Sequence, residues 1–246
     1  MSRALSDGCG CFPTGRHYPG IAHLLRTTVQ GLVPDVAADA PWGEIEIALV
    51  DVETTGRDAS VDRIVEVGVV VGRGGEIVLR KNWLVNPGVP IPEQASAVHG
   101  ITDADVAGEP RFSAIAPELA EILRGRVPAA YNAQFDRAFL LAEFGRAEIA
   151  AESVAALRRD VTWLDPLVWA REIQQGEKSR ALGDVAARLG ISLEKAHRAS
   201  EDAEAALRVL YALGADGRVP RSYGALVQEQ RRLALAQADE RRLWRS

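Results

Sequence analysis

"IEIALVDVETTGRD", residues 45–58, joins an apolar run to two acids that flank a single valine. Ile45, Ile47, Ala48, Leu49 and Val50 are β-prone or small residues bounded by polar sequence, the pattern of a strand through the middle of a sheet. Side chains alternate across a strand with period two, so Asp51 and Glu53 face the same way while Val52 points back into the core. Thr54, Thr55 and Gly56 then turn the chain, with Gly56 free to adopt a left-handed conformation. Two like charges at one strand end are costly unless a positive group lies between them, so the stretch asks for a cation.

Working outward, "DRIVEVGVVVGRGGEIVLRKNWLVNP" (62–87) reads as two long β-rich runs around "GRGGE", a hairpin signal. The first three strands are therefore expected to be adjacent and antiparallel. "SAIAPELAEILRG" (113–125) reads as a helix closed by Gly125, "VPAAYN" (127–132) as a short strand, and "AQFDRAFLLAEFG" (133–145) as a helix closed by Gly145. Further helices are expected around 163–173, 182–189 and 199–213. The C-terminal "ALVQEQRRLALAQADERRLWRS" reads as one more, with Leu226, Leu233, Ala234 and Trp244 as its apolar side. Its arginines could meet a phosphate backbone; packing on its own domain or on a second subunit, as in a homodimer, is the competing reading. Upstream, 1–18 read as a flexible lead-in, 20–33 as a short amphipathic helix, and "PDVAADAPWGE" as a linker. Early strands followed by alternating helices indicate an α/β fold with a mixed sheet and helices on its faces.

Two more acids are expected to point inward. On a helix over 133–144, Asp136 shares a face with Phe139, Leu140 and Glu143, because positions three and four apart are neighbours. On a helix starting near Ala199, Asp202 falls in the first turn on the stripe that carries Ala199, Ala203, Ala206 and Leu210, and His197 lies five residues before it. Carboxylate oxygens are the ligands of hard cations such as Mg²⁺ and Mn²⁺. Four of them can hold two ions about 3.5–4 Å apart, the arrangement used for in-line displacement at phosphorus. A neutral histidine beside them can take a proton from water.

The chain of 246 residues carries 29 basic and 34 acidic side chains, a formal charge of −5, which argues against a bulk electrostatic DNA binder but not against a nucleic-acid enzyme with local contacts. With no 18-residue apolar span and no signal-peptide organisation, a cytoplasmic protein that makes no membrane contact is expected. Cys9, Cys11, His17 and His23 spell C-x-C-x5-H-x5-H. These are four soft ligands for zinc at a spacing that matches no common structural module, with a loosely packed tail as the other reading.

"DVETTG" (51–56), "YNAQFDRAFL" (131–140) and "HRASEDAEA" (197–205) resemble, in order and spacing, the three motifs of the DEDDh group of DnaQ-like 3′-to-5′ exonucleases. "AVHGIT" (97–102), "LDPLVWARE" (164–172) and "LGDVAARLGI" (182–191) are similar to the connecting segments of that family. The resemblance covers roughly 45–213. It implies a ribonuclease H-like fold with a mixed five-stranded sheet, an N-terminal extension over 1–41, an exonuclease domain over 42–215 and a C-terminal helical extension over 216–246. It implies that Asp51, Glu53 and Asp202 hold a water-activating metal, that Asp51 bridges to a second metal supported by Asp136, and that His197 is the general base. Thr54, Thr55, Asn132 and His99 are implied to contact substrate, which is nucleic acid with a free 3′ end, single-stranded DNA foremost, with a DNA polymerase subunit as an eligible partner. Tyr131 stands where the family frequently has histidine, and Asp165-Pro166 where a threonine commonly follows the acid. An RNA-directed enzyme and a catalytically silent adaptor on the same fold are the alternatives.

Overall fold

The apolar alternation of Ile47 to Val52 is divided between two cores. Ile47 and Leu49 enter one buried cluster, while Ala48, Val50 and Val52 enter another. The computed structural model describes residues 30–193 and 198–243. Strand β1 (Ile47–Thr54) pairs antiparallel with β2 (Ile64–Arg73), and β2 pairs antiparallel with β3 (Glu76–Leu84) through the Gly74-Gly75 turn. Both turn glycines have positive φ, 63° and 84°, as the hairpin signal requires. Strand β4 (Val127–Ala129) lies parallel to β1, giving the order β3-β2-β1-β4. Among the described residues the sheet has four strands against the five expected; Leu164, expected within a helix, instead makes one parallel bridge to Ala129, held by Leu164 N–H to Pro128 O at 2.9 Å and Ala130 N–H to Leu164 O at 3.1 Å. Pro166 starts a helix two residues later, so the ladder has no room to continue.

Helices cover both faces. After α1 (Glu93–His99) and α2 (Asp103–Val106), α3 (Phe112–Leu123) and α4 (Ala133–Arg146) pack on the Ala48/Val50/Val52 side. On the Ile47/Leu49 side lie α5 (Pro166–Ile173), α6 (Leu182–Arg188), α7 (Ala199–Leu213) and α8 (Tyr223–Leu243). Helix α4 runs through Gly145 rather than ending there; the left-handed residue that follows it is Glu148, φ 58°. The expected linker is firmly seated: Trp42 is buried and stacks on Tyr211 of α7 with ring centroids 5.9 Å apart. Helix α8 is also part of the core through Tyr223, Leu226, Val227 and Leu233. The zinc reading of Cys9, Cys11, His17 and His23, the lead-in over 1–18, nearly all of the expected 20–33 helix, His197 and Trp244 lie outside the described residues. No helix among the described residues is long and apolar enough to cross a membrane.

Candidate active site

β1 and β4 run parallel, so their C-terminal ends open on the same edge of the sheet, where α/β folds place ligands. Asp51 and Glu53 project from the end of β1 on the Ile47/Leu49 face. Across the ladder they stand opposite Gly68 and Glu66 of β2. Helix α7 crosses this face and brings Asp202, 9% exposed, to the same point. Asp51, Glu53 and Asp202 each offer an oxygen within 4.8 Å of the other two. Three hard donors at that separation fit a divalent cation of the Mg²⁺ or Mn²⁺ kind. Among the described residues no ion pair engages Asp51, Glu53 or Asp136.

Asp136 sits beside the trio rather than within it. It lies in the first turn of α4, buried, and its Oδ1 accepts the N–H of Val52 at 3.1 Å. The charge conflict expected from sequence is plain. Burial above all, then Asp136, Asp202, Glu53 and Glu66, push the Asp51 carboxyl well above the usual carboxylate range. Burial, Asp202 and Glu66 raise Glu53 to about 7, against the opposing Arg198 guanidinium. Burial also raises Asp136, with backbone donors opposing. A cation that displaces those protons relieves the repulsion.

The turn after β1 is tied inward. Thr54 Oγ1 donates to Gly56 O at 2.6 Å; Thr55 N–H donates to Arg63 O at 2.8 Å, and Thr55 Oγ1 accepts Arg63 N–H at 2.9 Å. Gly56 does not take the left-handed conformation expected of it. An added Cβ there would lie 2.3 Å from Asp62 Oδ2, so the Asp62 carboxylate would have to move aside. Asn132, not a glycine, is left-handed at φ 67°, one of the few residue types that tolerate it, and it starts α4. His99 is buried at the end of α1, and its Nδ1 accepts Ile101 N–H at 3.0 Å.

Three supporting groups escaped the sequence reading. Asp165 accepts the N–H groups of Asn132 at 3.0 Å, Ala133 at 3.1 Å and Leu167 at 2.9 Å, so one carboxylate starts both α4 and α5. Gln230 of α8 accepts Asp165 N–H at 2.8 Å and donates to Trp163 O at 2.8 Å. Glu143, 2% exposed, is clasped by Arg63 at 2.6 and 2.9 Å and by Arg146 at 3.0 Å. An acid inside the apolar run IVEVGVVVG, Glu66, was the legible sign of a fourth.

The exonuclease family model (RNase_T) matches residues 49–210. The chain belongs to this exonuclease family. Among curated relatives, the PolC-type DNA polymerase III of Clostridium perfringens is 34% identical over 168 residues, 67% of this chain and 11% of that protein. That of Thermotoga maritima is 29% identical over 190 residues, 77% of this chain and 13% of that protein. The chain thus spans a small fraction of the length of these relatives. Among solved structures, Exonuclease X in complex with 5′ overhanging duplex DNA superposes with a TM-score of 0.58 at 23% identity, covering 75% of this chain and 99% of that one. E. coli Exonuclease I in complex with a dA16 oligonucleotide gives a TM-score of 0.60 at 18% identity, covering 70% of this chain and 41% of that one. These likenesses show the fold, which is ribonuclease H-like.

Proposed function

We propose that this protein is a metal-dependent 3′-to-5′ exonuclease that hydrolyses DNA and releases nucleoside 5′-monophosphates. The observation that carries the reading is the meeting of Asp51 and Glu53 with Asp202, remote from them in sequence, within 4.8 Å at the open end of a sheet. Asp51, Glu53 and Asp202 would hold one divalent cation, with Asp51 shared toward a second that Asp136 supports directly or through water. Divalent cations held there would supply Lewis-acid activation of water and charge stabilisation for the departing oxyanion. His197, from the third motif, takes the proton of the attacking water. The water oxygen bonds to phosphorus as the P–O3′ bond breaks, and the leaving 3′ oxygen is protonated from solvent. Thr54, Thr55, Asn132 and His99 flank the terminal nucleotide, the two threonines as part of a turn stiffened by Arg63 and Asp62.

DNA is the preferred substrate because the curated relatives are DNA polymerases by name and the solved neighbours carry DNA. Proofreading beside a polymerase and free-standing trimming both fit the chemistry. The test is digestion of single-stranded DNA, mismatched duplex and short RNA, labelled at either end, with Mg²⁺ or Mn²⁺. Mononucleotides leaving the 3′ end of DNA support the reading. Faster loss of RNA assigns an exoribonuclease, and no degradation with either cation assigns an adaptor.

A further inference from the structure

Glu66 is 0% exposed, yet it is ionisable and lies in a strand that is otherwise apolar up to its last residue, Arg73. A buried carboxylate is tolerated only when its lone pairs are satisfied. Asn82 Nδ2 donates to Oε1 at 2.9 Å, and Arg198 Nε and Nη2 donate to the same oxygen at 3.1 and 2.8 Å. Oε2 accepts the backbone N–H of Ala199 at 3.0 Å. Arg198 and Ala199 are the cap and the first residue of α7, and Asp202 follows in the first turn. The same helix start rests directly on Gly68, where an added Cβ would lie 2.2 Å from Ala199 C and 2.3 Å from Ser200 N. Gly68 is the cross-strand partner of Asp51, and Glu66 that of Glu53. Two contacts thus fix the start of α7 against the sheet, one setting its height and the other its position along β2.

We propose that Glu66, braced by Asn82 and Arg198, is a positioning residue that sets the distance of Asp202 from Asp51 and Glu53, and so the affinity of the carboxylate trio for a divalent cation. The inference deepens the nuclease reading and rests on it. Glu66 itself stands outside the trio whose oxygens lie within 4.8 Å of one another, and its own oxygens accept from Asn82, Arg198 and Ala199. Removing a group hydrogen-bonded directly to a metal ligand costs about 10–100-fold in metal affinity; Glu66 acts one step further out, through the start of α7, so losses at or below the lower end of that range are expected.

The experiment uses the full chain freed of metal and titrated with Mn²⁺, bound ion being read from the loss of the free Mn²⁺ paramagnetic resonance signal, with melting curves alongside. Glu66→Asp withdraws the carboxylate from Ala199 and is expected to weaken Mn²⁺ binding about tenfold; Glu66→Gln, whose amide oxygen still accepts Ala199 N–H, is expected to weaken it about threefold. The exposed Asn82→Ala variant removes one donor and leaves the core untouched, so it decides the matter if the Glu66 variants do not fold. Its expected loss is about twofold to threefold, and turnover at limiting Mn²⁺ should fall in step. Variants that melt lower but bind Mn²⁺ as the natural chain does would make Glu66 a purely structural group and overturn the positioning role alone. A natural chain that takes up no Mn²⁺ would overturn the nuclease reading and this inference together.

Discussion

Asp51 is held at the centre of a repulsive group of acids, which separates its effect on activity from its effect on stability. Asp51→Asn is expected to reduce turnover by on the order of a thousandfold or more while stabilising the metal-free protein by about 1–2 kcal/mol, because a neutral amide ends the repulsion. Initial rates and melting curves at pH 8 check both; a metal-free variant that melts lower than the natural chain would contradict the electrostatic account. Glu53 makes the same conflict visible as pH dependence. Between its ordinary value of 4.5 and about 7, the folded chain keeps a proton that the unfolded chain has released. Raising the pH through that window therefore removes stability from the metal-free protein, by roughly 1–3 kcal/mol from this group. The melting temperature is expected to fall between pH 5 and 8 without metal, to fall less in Glu53→Gln, and to recover on adding Mg²⁺ in excess. Mn²⁺ affinity should rise over the same window as protons cease to compete.

At the scale of elements, a few carboxylates start the helices that deliver the site. Asp165→Ala would strip three N–H groups, two of them part-buried and one exposed, of their acceptor at the starts of α4 and α5, at a cost of about 2–3 kcal/mol, and would displace Asp136 with them. Urea denaturation reads the first effect, and turnover measured well below the melting point reads the second. Helix α7 was legible residue for residue because its alanines and leucines keep one face and Asp202 interrupts that face near the N-terminus. The sheet's first hairpin was legible from its glycine pair. Gly145 misled because a glycine can be carried inside a helix that packing secures, as Phe144 and Leu140 do here. The fifth strand, implied by the resemblance and not by any alternation in the sequence, is absent among the described residues because Pro166 starts a helix two residues after Leu164. Asp165 went unread as a hub since two of its three partners are 32 and 33 residues away and are backbone groups that no side-chain pattern marks.

For the whole molecule, the division of labour between segments is tighter than the motif boundaries imply. Residues 30–42 and α8 lie outside the matched stretch of 49–210, yet Val33, Trp42, Tyr223, Leu226 and Val227 share the core that backs the Asp51 face of the sheet. Leu226→Ala is expected to cost about 2–5 kcal/mol in urea denaturation, as much as a truncation at the sheet's own centre, with metal affinity per folded molecule unchanged. Gln230 also connects α8 to Asp165, so the last helix braces the acid that braces α4. The two flanks are laced to each other as well. Pro41 bridges to Ser222, Val33 N–H donates to Tyr223 Oη at 3.1 Å, and Gln228 donates to Gln30 O at 2.7 Å. Pulled apart in a force experiment by handles at residues 30 and 243, the molecule would bear the load first on this lacing, bond by bond, and the nuclease sheet would feel no tension until the seam had opened.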